Sequence, residues 1–159
     1  MLNALILTFC GFASNLLAGV IGDKFEQSNP MIKGWITSMS CALSIPLICL
    51  ACASHGNFYL SMAAIAGYVM VSGGYHSTAV TMIENSVSSQ ETGKMVSAWQ
   101  MYTNIAQTCS PILFGTIGAM LSISSNVQIY GPMIMGFVAA GYIPAAILFY
   151  LGGKRYAAE

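Results

Sequence analysis

Five apolar stretches, each long enough to cross a lipid bilayer, leave this chain few folds to adopt. They occupy 2–21, 31–53, 58–83, 95–121 and 130–151. A helix needs about 20 mostly apolar residues to span the hydrocarbon core. A barrel strand needs only about 10 and alternates in polarity, which these stretches do not. The expectation is an all-α, polytopic bundle of about five transmembrane helices, forming a single domain over 1–159. Its first partner is the lipid bilayer.

Composition points the same way. Only 6% of the 159 residues are charged, against roughly 25% in soluble domains. So few charges cannot cover a surface that faces water. Lys and Arg number 5, as do Asp and Glu. That balance excludes the clustered basic face that nucleic acid requires. All five cysteines, Cys10, Cys41, Cys49, Cys52 and Cys109, lie in apolar stretches. Cys49 and Cys52 form a C-x-x-C, but the run LICLACAS holds no second pair and no carboxylate, so they read as small helix residues. An odd number of cysteines gives no disulfide framework. The chain has no G-x-S-x-G, no H-E-x-x-H and no phosphate-binding loop. Its histidines, His55 in a loop and His76 in a span, make no haem pair. No enzyme activity, cofactor or metal site is expected.

The cations set the orientation. Lys24 and Lys33 lie in or beside the first loop, Lys94 in the third, and Lys154 and Arg155 in the tail. Five crossings place all of these on one side, which the positive-inside rule makes cytoplasmic. An even number of crossings would scatter them. The first stretch lacks a basic leading region and is long and glycine-rich, so it reads as a retained helix rather than a signal peptide. Gly67, Gly73 and Gly74 interrupt the third span, and Gly115, Gly118, Gly136 and Gly141 recur in the last two. Small residues let membrane helices approach closely, as a packed bundle requires.

The segment GVIGDKFE, from Gly19 to Glu26, resembles a loop signature of the major facilitator superfamily, G-x-x-x-D-R/K-x-G-R/K. Gly19, Asp23 and Lys24 match; Glu26 and Gln27 depart from it. The segment from Ser88 to Lys94 leads into a helix carrying Ser110-Pro111 and Phe114-Gly115. This is similar to the G-P-x-x-x-G-like pattern in that family's eleventh helix, with Ser110 in place of the first glycine. The chain thus resembles the C-terminal portion of the fold, helices eight to twelve, with a Spinster-like flavour at Asn29-Pro30-Met31. The resemblance implies a secondary transporter that moves a small solute by alternating access. Such proteins bind substrate between two six-helix halves. The implied partners are therefore a missing N-terminal half or other membrane subunits. The alternative is a transporter-derived structural subunit of a larger membrane complex, without transport activity. No substrate is specified under either reading.

The resemblance also implies site residues. Asp23 and Lys24 would belong to a gate, with Glu84 pairing to Lys24 by the family's internal symmetry. The plain alternative is an ordinary charged turn and an interfacial carboxylate. His76 is the ionisable side chain well inside a span; it serves either as a hydrogen-bonding structural group or in a proton or substrate role. Asn104 and Gln107, three apart, share a helix face, with Tyr102 and Trp99 near it. They are interhelical glue or cavity lining. A polar group left unpaired in hydrocarbon is costly, so His76, Asn104 and Gln107 should all turn inward and leave Ile112, Leu113 and Met82 to the lipid.

Overall fold

The computed structural model describes residues 2–54, 57–120 and 129–158. Within them the chain forms α1 (Leu2–Glu26), α2 (Ile32–Ala53), α3 (Phe58–Ser72), α4 (Gly74–Ser86), α5 (Thr92–Met120) and α6 (Tyr130–Tyr156), with no strand. His55 and the expected end of the fourth span at Leu121 lie outside the described residues. The expected third span is α3 and α4 together, joined at Gly73. The bundle therefore has five lengthwise passages.

Contacts between helix ends fix how those passages run. The end of α1 meets the end of α6 where Tyr156 donates to Glu26. The end of α4 joins them through Asn85, and the start of α2 through Lys33. This is the charged end of the bundle. At the far end, Gly131 at the start of α6 lies against Cys52 at the end of α2. Thus α5 leaves the charged end and must traverse the bundle before α6 returns. Edge-on ring pairs along the two helices agree: Trp99 meets Phe149 at 6.4 Å, and Phe114 meets Phe137 at 5.6 Å. Among the described residues five helical passages run along the bundle, and the ends that carry the cations lie together.

The distribution of side chains is that of a protein in lipid. Phe9 and Leu148 are each 68% exposed, while Thr37, Ser44 and Thr78 are completely buried. A soluble protein would hide the first group and solvate the second. In hydrocarbon the apolar exterior costs nothing, and small polar residues let helices touch. Inside, the Thr37 and Thr78 hydroxyls lie 2.8 Å apart and so bond α2 to α4. One of the two hydroxyls donates to the other, and the one that accepts keeps its own proton for its helix, Thr37 for the Lys33 carbonyl or Thr78 for that of Gly74.

Four helical segments are long and apolar enough to cross a membrane: Ala4–Glu26, Ile32–Ala53, Phe58–Ser86 and Tyr130–Tyr156. They fit an integral, multi-pass membrane protein. α5 is not among them, although its 29 residues would reach about 44 Å. Its polar content, Gln100, Asn104, Gln107 and several hydroxyls, accounts for this.

Two boundaries differ from the sequence expectation for clear reasons. The first helix does not stop near Ile21 but continues through the GDKFE segment to Glu26. No helix breaker stands before Asn29-Pro30, so the expected loop is helical. The junction at Gly73 lies where α1 presses closest. A Cβ on Gly73 would come within 2.8 Å of the Ser14 hydroxyl, and one on Gly74 within 2.9 Å of the Ala18 methyl. Two residues without side chains admit α1 there, while Gly73 keeps helical angles, φ −59° and ψ −34°, so α3 and α4 run on as one span.

Candidate functional site

One carboxylate gathers four helices at the charged end. Asp23 and Glu26 are three apart on α1, so a helix that continues to Glu26 puts both on one face. Lys33, in the first turn of α2, inserts between them. Its Nζ lies 2.8 Å from Glu26 Oε2 and 3.1 Å from Asp23 Oδ1. The other Glu26 oxygen, Oε1, accepts from Asn85 Nδ2 at 3.3 Å and from the Tyr156 hydroxyl. Asn85 also donates to the Tyr156 oxygen at 3.1 Å. The Lys33 side chain is only 2% exposed, and the Glu26 side chain 24%. The arrangement is a tie between the ends of α1, α2, α4 and α6. The arrangement can act mechanically: these ends move together or the tie breaks.

Two expected members of the cluster stand outside it. Among the described residues Lys24 makes no ion pair with Glu84. Lys24 is next in sequence to Asp23, about 100° further round the helix, so it turns away when Asp23 faces Lys33. Its ammonium lies 5.9 Å from the Phe25 ring instead. Glu84 is likewise one residue before Asn85, and it is exposed where Asn85 reaches Glu26. Lys33, Asn85 and Tyr156 hold the acidic pair, Asp23 and Glu26, in place of the expected contact between Lys24 and Glu84.

The second region is the groove that α5 borders. A cavity of about 470 Å³ lies among α2, α4, α5 and α6, lined by Cys41, Tyr75, Ser110, Phe137, Tyr142 and Phe149 among others. Tyr142 shares a hydrogen bond of 3.0 Å with Tyr68. His76 does not line this cavity; its half-buried ring stands edge-on to Tyr75 at 6.3 Å. No side-chain hydrogen bond to His76 occurs among the described residues.

Asn104, Gln107 and Tyr102 are exposed, contrary to the inward rotation expected of them. Trp99 and Phe114 are half-buried against α6 and Ala106 and Ser110 border the cavity while staying exposed, since α5 buries none of its residues; Tyr102 is 74% exposed. The amides turn to each other instead: Gln100 Nε2 donates to Asn104 Oδ1 at 3.3 Å. Gln100, Asn104, Gln107, Pro111 and Gly115 recur at spacings of three and four, so a polar, small-residue stripe runs along the outer side of α5. A Cβ built on Gly115 would meet nothing within 4 Å. Ile112 and Leu113 are exposed as expected, whereas Met82 is half-buried. Compared with protein-family models, curated proteins and solved structures, the chain matches none.

Proposed function

We propose that this chain is part of a major-facilitator-type secondary transporter, and that the outer stripe of α5 lines its solute path once further membrane helices cover it. One observation carries the reading. α5 traverses the bundle, yet it buries no residue against the other helices and leaves Gln100, Asn104 and Gln107 exposed. Amides at that depth are not stable against acyl chains. Asn104 stands 12 residues into α5, about 18 Å from the charged end and near mid-membrane. A water-filled path between this bundle and a second one would satisfy it. The tie at Glu26 supports the same reading, since a breakable link between helix ends is what a rocking bundle uses. In this reading the charged end, with all five cations, faces the cytoplasm.

Thiol accessibility in native membranes tests the proposal. In a chain whose five cysteines are replaced by serine, Asn104→Cys and Gln107→Cys should react with a charged, membrane-impermeant thiol reagent. Ile112→Cys should not. Added transported solute should protect the first two. If Asn104→Cys and Gln107→Cys are as inert as Ile112→Cys, no aqueous path runs along α5 and the structural-subunit reading replaces this one.

A further inference from the structure

We propose that the cavity among α2, α4, α5 and α6 is a binding site for one neutral aromatic molecule, a flat ring system that carries a carbonyl oxygen. Its rings lie among Tyr75, Phe137, Tyr142 and Phe149, and its oxygen accepts from the Tyr142 hydroxyl. The inference goes beyond the transport reading and stands without it, because the polar stripe of α5 takes no part in the site.

The site is a single compartment of about 470 Å³, within the range of roughly 300–1,000 Å³ that small-molecule sites occupy. Cys41 comes from α2, Tyr75 from α4, Ser110 from α5, and Phe137, Tyr142 and Phe149 from α6. Tyr142 stands fourteen residues before Tyr156 of the charged end, which is about 21 Å along α6 and near mid-membrane. The α6 wall leaves room, since a Cβ on Gly141 would meet nothing within 4 Å. α5 is the loose wall: it buries none of its residues, and Ser110 is exposed. A neutral molecule dissolved in the bilayer enters on that side.

The walls decide the class of ligand. Among the described residues no charged side chain lines the cavity. An ion taken there from water would lose its hydration and find no counter-charge. Four aromatic rings line the space instead. Aromatic rings favour a further ring, offset-stacked or edge-on, beyond the gain from area alone. An acyl chain would gain only the area.

A proton count decides the polar group. The Tyr68 and Tyr142 oxygens lie 3.0 Å apart and share one hydrogen bond. That bond uses one of their two protons, and the accepting hydroxyl keeps its own. Neither hydroxyl makes another hydrogen bond among the described residues. Tyr68, on α3, does not line the cavity, whereas Tyr142 does. When Tyr68 donates, the spare proton is that of Tyr142, on the cavity side. A donor left unpaired at this depth is costly, and a carbonyl oxygen satisfies it. The Tyr75 hydroxyl and the Cys41 thiol lie within electrostatic reach of the Tyr142 hydroxyl, so the polar groups of the cavity gather around it. A hydrocarbon of the same shape leaves the proton unmet.

The test titrates flavone, a neutral three-ring compound with one carbonyl, into the purified full chain in detergent. The chain carries Trp35→Phe, so that Trp99 is the remaining tryptophan. Its ring lies 6.4 Å from that of Phe149, and flavone bound beside Phe149 quenches its fluorescence. The expected quench saturates at one flavone per chain. Gly141→Leu, which grows into the open space, should abolish saturable binding. Gly136→Leu, at an exposed glycine of α6 outside the cavity, should leave it unchanged. Phenylnaphthalene, of similar shape but without oxygen, should bind about fivefold more weakly, the worth of one hydrogen bond. Tyr142→Phe should lower the affinity for flavone to that for the hydrocarbon and leave the hydrocarbon's affinity as it was, which also shows that the variant is folded. Tyr68→Phe breaks the same hydroxyl pair but should keep the preference for flavone, because Tyr142 retains its proton. Quenching that never saturates, or that survives Gly141→Leu, overturns the proposal. So does flavone binding no tighter than phenylnaphthalene, or Tyr68→Phe erasing the preference as fully as Tyr142→Phe.

Discussion

Lys33→Met is expected to destabilise the bundle by about 1–3 kcal/mol, less than the roughly 3–5 kcal/mol of a fully buried pair because the Glu26 carboxylate is 24% exposed. The loss is large because the substitution leaves a charge behind. Glu26 would keep only Asn85 and Tyr156, with its neutralising ammonium gone. The two carboxylates are not equal in this. Asp23 is 65% exposed and remains solvated whatever happens to Lys33, so Asp23→Asn should cost under about 1 kcal/mol. Removing both members of the tighter pair should be milder than removing one. In Lys33→Met with Glu26→Gln no charge is stranded, and an uncharged replacement is often close to neutral. Unfolding in mixed detergent, read by tryptophan fluorescence and arranged as a double-mutant cycle, measures all four species. Equal stability of Lys33→Met and the unmodified chain would show that the tie carries no load. A double variant as weak as the sum of the singles would show that the two residues do not interact.

That tie also marks how far the sequence could be read. The number of passages and the shared end of the cations depend on local apolar length and on basic residues confined to the first loop, the third loop and the tail, and both are legible residue by residue. The partners within the cluster depend on where a helix stops. Treating GDKFE as a loop hid the one-face relation of Asp23 and Glu26. The chain stays helical to Glu26, and this selects Lys33 over Lys24 and Asn85 over Glu84. A shift of one residue on a helix is about 100°, enough to exchange a partner for its neighbour. The rotation of α5 was misread for another reason. Turning Asn104 and Gln107 inward assumes that the chain supplies its own partners. The aromatic contacts of Trp99 and Phe114 with α6 outweigh them, and the amides go outward. The polar stripe was visible in the sequence; the surface it faces was not.

Gly153→Ala should destabilise the bundle, whereas Gly152→Ala, one position earlier, should stabilise it. The main chains of α2 and α6 touch where Gly34 meets Gly153. A Cβ on Gly34 would lie 2.4 Å from the Gly153 Cα, and one on Gly153 would lie 2.5 Å from the Gly34 Cα. Both distances are far inside van der Waals contact. The obstructing atoms are backbone, so no rotamer change relieves them and the helices must separate. Separation has consequences along the seam. Four residues after Gly34, the Ser38 hydroxyl donates to the Ala146 carbonyl at 2.9 Å, and Trp35 packs edge-on against Tyr150 at 5.6 Å. Tyr156, one helical turn beyond Gly153, reaches Glu26 in the tie. Moving the end of α6 outward weakens all three. Overpacking of a core costs about 1–3 kcal/mol, and a clash between two backbones belongs at the upper end of that range. Gly34→Ala should match Gly153→Ala, and Gly34→Leu should exceed both. At Gly152 the same methyl enters open space, leaving only the propensity gain of alanine over glycine in a helix, about 0.5–1 kcal/mol. Thermal unfolding in one detergent compares the neighbours directly. Opposite signs at Gly152 and Gly153 are required if α2 and α6 cross through their backbones; equal signs would mean that this crossing does not exist.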